Sequence, residues 1–469
     1  MIYHFDDAFI FGTATSAFQI EGAVNEGGRG PSIWDTFCDT PNAVFNGDTA
    51  KIACDHYHRV EEDIALLKTL GVDSYRFSVS WSRIFPSEGV VNVQGLEFYK
   101  GIIGALQQAS IKPMLTLNHW DVPMWMYEKG SWLSRDSIKW FSDYAQTLFD
   151  AFGSSVNFWV THNEPFVITM LGYCFGLHAP GHKNLKEALI ASHHLNLAHG
   201  EAVRRFRSCD MGDAKIGITL NISPAAPYRQ DDEHIALASI ADDFVNHWFL
   251  EPLFKSRYPA AMVQRYEEMV GPLSFIHEGD MTAIAEPMDF LGINFYKRNI
   301  VKAKAETLFG YVGVDDEQPS TREGWAKYPD VLLSVLRMVR DRYTSLPLYI
   351  TENGLGLESS HASTADASRF GTYITVKDEV DEVSSDGNIH DASRIAYIEN
   401  CLKQCHAFIN EGGNLKGYYL WSLLDNFEWA LGYSKRFGIV HVDFSTQKRT
   451  IKDSGYFYQK VIAQRVCQI

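Results

Sequence analysis

Eight short, nearly continuous apolar runs recur along this chain, and each turns polar or aromatic at its carboxyl end. In order they are FIFGTATSAFQ (10–19, with one residue of play at its start), DSYRFSVSW (73–81), KPMLTLNHW (112–120), VNFWVTHNE (156–164), KIGITLNIS (215–223), DFLGINFY (289–296), PLYITENG (347–354) and LKGYYLWSLLD (415–425). Such runs suit the strands of a parallel sheet covered on both faces. Several segments between them carry a helical period. In DHYHRVEEDIALLKTL, Tyr57, Val60, Ile64 and Leu67 share one face, with Asp55 placed as an N-cap. Ile395, Ile398 and Leu402 are in register within 392–408. Eight strands alternating with helices predict an α/β fold, a single (β/α)8 TIM barrel over residues 1–469 with long βα loops. No solenoid repeat or low-complexity linker divides the chain.

The polar residues collect rather than scatter. The run ends carry Gln19, Arg76, His119 with Trp120, Asn163 with Glu164, Asn221, Asn294 with Tyr296, Glu352, and Trp421 followed by Glu428. In a barrel all eight carboxyl ends meet on one face, where catalytic groups of such folds lie. Glu164 ends the fourth run and Glu352 the seventh, nearly across the barrel from each other. Two facing carboxylates are the minimum equipment for cleaving a glycosidic bond: one protonates the leaving oxygen, the other attacks or activates water. A separation of about 5–5.5 Å favours a covalent intermediate and retention, one of about 6.5–9.5 Å inversion.

Charge divides the two roles. Unit charges about 5 Å apart at an effective dielectric of about 20 repel by roughly 3 kcal/mol, or about two pKa units. Arg76 and the Tyr296 hydroxyl are placed to keep one glutamate ionised, while the less supported one keeps its proton. Asn163 is a candidate for bonding a sugar 2-hydroxyl. Taken singly, these signals are weak. TENG can mark a turn, His119 can be a structural histidine, and Arg76 an ordinary ion-pair partner. Their joint placement at successive strand ends carries the reading.

Other chemistries find less support. A net charge of −16 argues against nucleic acid or an anionic membrane as partner. The amino terminus lacks a basic start followed by an apolar stretch, and no run reaches transmembrane length. Seven cysteines without CxxC pairing point to reduced thiols and a cytoplasmic setting. His56-x-His58 lies on a predicted helix rather than a strand end, so no metal is expected. No GxGxxG, Walker or serine-elbow pattern occurs, and no cofactor is expected. Eleven tryptophans in a chain that is 13% aromatic can be plain core, yet aromatics also form stacking platforms for sugars and other flat apolar faces. The rim inventory of Gln, His, Trp and Glu is that of a hydroxyl-rich, uncharged ligand with apolar faces, and self-association is left open.

GTATSAFQIEG, YRFSVSWSRI, NHWDVP, THNEP, FLGINFY, YITENG and WSLLDNFEWALGYSKRFGIVHVDF together resemble the retaining β-glycosidases of glycoside hydrolase family 1, best known as β-glucosidases. The resemblance runs from about Phe11 to Tyr458, with the motifs in order. It implies small β-glycosides and oligosaccharides as partners, with Glu164 as the acid/base and Glu352 as the nucleophile. It further implies sugar contacts at Gln19, His119, Trp120, Asn163, Glu428 and Trp429, with Trp421 as a stacking floor. Arg76, Asn294 and Tyr296 would orient the nucleophile, and Asn221 and Trp325 would lie nearer the aglycone. Glu428 disfavours a 6-phosphorylated sugar, since relatives acting on these typically carry a serine- and lysine-containing pocket there. Glu164 distinguishes the chain from plant thioglucosidases, which lack that carboxylate.

The chain departs from the family pattern at a few letters. Asn118 stands where relatives more often have an aromatic residue, and His162 where Phe or Leu is usual. Phe166 replaces a common Trp after NEP, at the expected aglycone lip. The segment LESSHASTADASRFGTYITVKDEV is about 20 residues longer than a compact loop, and it is expected to border the aglycone entrance.

Overall fold

A computed structural model describes residues 2–314, 331–358, 375–381, 383–385 and 387–468. The eight apolar runs form the strands β1 (Ile10–Ala14), β2 (Ser74–Ser78), β3 (Lys112–Asn118), β4 (Phe158–Asn163), β5 (Lys215–Asn221), β6 (Phe290–Asn294), β7 (Leu348–Asn353) and β8 (Leu415–Trp421). They close into one barrel in sequence order, with β8 hydrogen-bonded back to β1 and every neighbouring pair parallel. The expected barrel is therefore the observed one.

Although the runs look uniformly apolar, their side chains divide between two cores. Ile10, Met114, Phe158, Val160, Phe290, Tyr349 and Tyr419 fill the barrel interior as a cluster of their own. Phe11, Tyr75, Leu115, Trp159, Ile218, Leu291, Ile350 and Tyr418 face outward into the large core shared with the helices. This is the period of two expected of strands, hidden because both faces are buried. The outer layer includes α1 (His56–Leu70), α2 (Val93–Gln108), α3 (Ser137–Phe152), α4 (Leu185–Ser208), α5 (Trp248–Lys255), α6 (Val331–Arg342), α7 (Ala392–Asn410) and α8 (Asp453–Gln464).

On α1, Ile64 and Leu67 are buried as their spacing predicts, but Asp55 does not cap by its side chain. Its backbone is left-handed (φ 52°), and its carboxylate instead accepts from His58 and Arg59. A three-stranded sheet of Ala225–Pro227, Asn299–Ala303 and Tyr311–Val314 builds on the loops after β5 and β6. No helix among the described residues is long and apolar enough to cross a membrane.

Two strands break the alternation where it matters. Between Val160 and Asn163, β4 spends three residues against the two that β5 spends between Gly217 and Thr219. On β7, Ile350 to Glu352 takes two residues against the single step from Ile293 to Asn294 on β6. Each irregularity is a bulge, which re-aims the side chains that follow it. The glycine of TENG has a related use. Gly354 has an ordinary negative φ, but a Cβ there would lie 1.8 Å from the Trp421 carbonyl oxygen. It lets the ends of β7 and β8 approach rather than marking a turn.

Behind these two ends lies a buried ionic network. Lys452 Nζ donates to Asp381 (2.5 Å) and Asp425 (2.7 Å), and Arg436 donates to Asp425 at 2.8 Å. Arg394 pairs with Asp381 and Asp391. Three carboxylates meet three cations, so the cluster is neutral. Removing one member leaves unpaired charge in the interior, which costs far more than the pair contributes net. Lys452→Met is expected to lower the unfolding free energy by about 3–5 kcal/mol, seen as a lower urea midpoint. An unchanged midpoint would mean that the two carboxylates find other partners.

Candidate active site

The carboxyl ends of the strands converge around two glutamates on opposite walls. The bulge in β4 sets the first. Thr161 reaches His199 on α4, His162 lies on Phe141 of α3, and Asn163 then turns inward. Glu164 follows in a left-handed conformation (φ 50°), uncommon for a residue with a side chain and typical of strain held at a functional site. The bulge in β7 turns Thr351 and Glu352 inward in succession, where they meet Asn294 and Arg76.

Hydrogen bonds orient the two carboxyls unequally. Both oxygens of Glu352 are held by donors: Arg76 gives one N–H to Oε1 and Tyr296 its hydroxyl to Oε2, each at 2.7 Å. Glu164 accepts through Oε1 from Asn294 Nδ2 at 2.8 Å. The Asn294 amide is itself fixed, because its oxygen accepts from Thr351, whose hydroxyl accepts from Thr219. Asn163 Oδ1 accepts from Arg76 (2.5 Å) and Asn294 (3.0 Å), so its Nδ2 must donate to His119 Nε2 at 3.2 Å. A neutral His119 that accepts at Nε2 carries its proton on Nδ1. That Nδ1 is buried without a protein partner, which leaves a donor for a ligand.

Electrostatics follow from this asymmetry. Burial, and then the Glu352 charge, push the Glu164 carboxyl up to about 8, against the Asn294 amide and the more weakly acting Arg76 charge. Burial raises Glu352 as well, but the Arg76 guanidinium opposes it most, joined by Tyr296 and Asn294. Glu164 is thus the better proton holder. Burial, with the Arg76 charge behind it, keeps His119 neutral. Burial, followed by Glu352, pushes Glu428 up to about 8, with Gln19 opposing.

Aromatic rings form the rest of the wall. His119 stacks with Trp421 (5.8 Å, 20°) and Trp429 (6.1 Å, 13°), and Trp120 packs against Trp429 at 4.5 Å. Gln19, on the short helix Ala17–Ile20, is held by Ser16 and donates to Asn426, the Phe427 carbonyl and Glu428. Asn221 ends β5 beside Asn294, half-buried and one strand removed from the Glu164–Asn163 cluster. Trp325 and most of the long segment after Glu352 lie outside the described residues. Phe166 packs edge-on against Phe244 at 5.3 Å. Among the described residues, no three His, Cys, Asp or Glu side chains gather as a set that could hold a metal. His56 bonds Asp63, and His58 bonds Asp55 and Glu26.

Comparison with known proteins adds the ancestry. The profile of glycosyl hydrolase family 1 matches residues 1–376 and 370–466. The chain is 43% identical over 462 residues to β-glucosidase A of Acetivibrio thermocellus, covering 98% of each chain. The chain belongs to glycosyl hydrolase family 1. Another relative, a bifunctional β-D-glucosidase/β-D-fucosidase of Bifidobacterium breve, is 39% identical and is covered over 98% of both chains. The crystal structure of the family 1 β-glucosidase from Exiguobacterium antarcticum superposes with a TM-score of 0.91 at 45% identity, over 98% of this chain and 99% of that one.

For this family 1 chain, sequence reading named the residues around the glutamates but missed those that set their amides. Thr116 accepts from Arg76, Thr351 donates to Asn294, and Thr219 donates in turn to Thr351. Each stands on a barrel strand close to its polar end, a position at which an apolar run carries a hydroxyl. Asn353, expected only to shape a turn, is a buried brace between the Phe295 carbonyl, Tyr397 and Tyr418.

A folded-state pKa near 8 for Glu164, against its ordinary 4.5, has a consequence for stability. Between these values the unfolded chain releases a proton that the folded protein keeps, so stability falls as pH rises from about 4.5 to about 8. Glu164→Gln removes that loss. Its gain over the parent should be near zero at pH 4.5 and reach about 2–5 kcal/mol near pH 8, read from denaturant midpoints across that range. A gain that does not grow with pH would contradict the raised Glu164 value.

Proposed function

We propose that this chain is a retaining exo-β-glucosidase that releases glucose from cello-oligosaccharides and from aryl or alkyl β-glucosides. One observation carries the reading: two buried glutamates lie close enough to repel each other, one with both oxygens on donors and the other with one amide and a raised pKa. Glu352, oriented by Arg76 and Tyr296, attacks the anomeric carbon while Glu164 gives its proton to the departing oxygen. The bond from the anomeric carbon to that oxygen breaks as the bond to Glu352 forms. Glu164, now ionised, takes a proton from water, or from a second sugar in transglycosylation, and the glycosyl–Glu352 ester is displaced. Asn163, His119, Gln19 and Glu428 supply hydroxyl contacts, Trp421, Trp429 and Trp120 the apolar faces. Asn221 and Trp325 are proposed to lie on the aglycone side.

The names of the relatives support this assignment, since they are called β-glucosidases, a 1,4-β-D-glucan glucohydrolase and a glucosidase/fucosidase. Activity on β-fucosides and β-galactosides belongs to the proposal. A 6-phospho-β-glucosidase is the second enzymatic reading. It is disfavoured because Glu428 stands in the pocket, while nearby Lys435 is paired with Glu358 and Arg436 with Asp425. A single catalytic unit over residues 1–469 and a cytoplasmic setting complete the proposal, the latter fitting seven cysteines that are all free.

Glu352→Gln is expected to lower kcat/KM for an aryl β-glucoside about a thousandfold or more. NMR of the parent reaction should show β-glucose first. Hydrolysis by the variant at the parent's rate would remove Glu352 from the mechanism, and α-glucose as first product would replace retention by inversion. Turnover of a 6-phosphorylated glucoside in preference to the plain one would favour the second reading, and binding without turnover a silent sugar-binding barrel.

A further inference from the structure

The two unusual letters of the sequence, Asn118 and His162, face each other. They are paired across β3 and β4, and Asn118 Nδ2 donates to His162 Nδ1 at 3.0 Å. The direction is fixed, because Asn118 Oδ1 already accepts from the Trp120 backbone N–H at 3.2 Å. Both residues are buried, His162 completely, between Phe141 (4.4 Å, stacked) and Trp132 (5.6 Å, edge-on). Neither is among the groups assigned above to substrate.

Their place in the backbone gives the pair its meaning. Trp120 and Glu164 are both left-handed, with φ of 81° and 50°. The Trp120 indole N–H donates to the Asn163 carbonyl at 3.0 Å, and the Glu164 N–H donates to the Thr219 carbonyl at 2.9 Å. Those two bonds grip opposite sides of the single peptide plane that joins Asn163 to Glu164. Asn118–His162 closes the circuit: from Trp120 N–H to Asn118, from Asn118 to His162, and along the chain to Asn163, which the Trp120 indole holds. An apolar side chain at 162 would fill the same space, but it would leave the Asn118 amide buried without an acceptor and the circuit open.

We propose that Asn118 and His162 form a positioning pair that ties the turn at Trp120 to the β4 bulge and so aims the Glu164 carboxyl at the leaving oxygen. The inference rests on Glu164 being the acid/base. Its signature is selectivity by leaving group. Protonation matters for an alkoxide such as the second sugar of cellobiose, and little for dinitrophenolate, which departs unassisted. The quantity to compare is kcat/KM, which reports the steps up to the first bond cleavage.

His162→Phe is expected to lower kcat/KM for cellobiose by about tenfold or more while that for dinitrophenyl β-glucoside stays within about threefold. His162→Asn, whose Oδ1 can accept where Nδ1 did, should restore most of the cellobiose value. The Asn118→Leu/His162→Phe double variant should be no worse than the more damaged single variant, as expected for members of one interaction. Glu164→Gln calibrates the assay. If it shows the leaving-group selectivity and neither His162→Phe nor Asn118→Leu does, the positioning role falls and the acid/base assignment stands. Parallel losses on both substrates, or single effects that multiply in the double variant, also overturn the pair. If Glu164→Gln itself shows no selectivity, the acid/base assignment falls and the pair's role with it.

Discussion

The guanidinium of Arg76 holds this pocket together. It is buried to 1% exposure midway along β2, and it donates to Glu352, to Asn163, to the Thr351 carbonyl and to Thr116. Three buried glutamates lie within electrostatic reach of one another, and burial works against ionising any of them. One fixed cation lets one of the three carry charge, and its position decides which. Because it lies on Glu352, the negative charge settles there, and burial, helped by the repulsion from that charge, keeps protons on Glu164 and Glu428. The division of labour between two chemically identical side chains thus comes from the placement of a third residue.

Much of this was legible in the sequence. Eight apolar runs gave eight barrel strands, and the polar letters at their ends converge on one rim as expected. Arg76 and Tyr296 were named as the groups that would keep one glutamate ionised, and both lie on Glu352. What stayed hidden depends on register. A strand period places Asn163 and Glu352 correctly only if the extra residue in β4 and in β7 is known, and a bulge leaves no letter in a run buried on both faces. The purpose of Gly354 was equally unreadable, since a close approach to the Trp421 carbonyl involves a residue 67 positions away by number (421 − 354). Asp55 looked like a cap because its type and place were right, yet its left-handed backbone turned the carboxylate to His58 and Arg59 instead.

The buried ion pairs behind β7 and β8 fix Asp381 and Asp425, which follow those strands in the chain. Asp425 precedes Glu428 by three positions, and it is clamped by Lys452 and Arg436 while Lys452 also holds Asp381 beyond Glu352. The Trp421–Trp429 wall is therefore anchored from outside the pocket. A wall ordered before a ligand arrives loses less entropy on binding one.

The hydrogen bonds around Glu164 have one sense of travel. Thr219 gives to Thr351, Thr351 to Asn294, Asn294 to Asn163 and Glu164, and Asn163 to His119. No member can reverse without stranding its neighbours, so the proton on His119 Nδ1 is dictated from strands on the far side of the barrel. The pocket behaves like a lock whose pins are already set: it offers a hydrogen at one spot and a lone pair at another before any guest arrives. A guest that needs the opposite pattern at His119 Nδ1 meets a lattice of bonds rather than a single rotatable group.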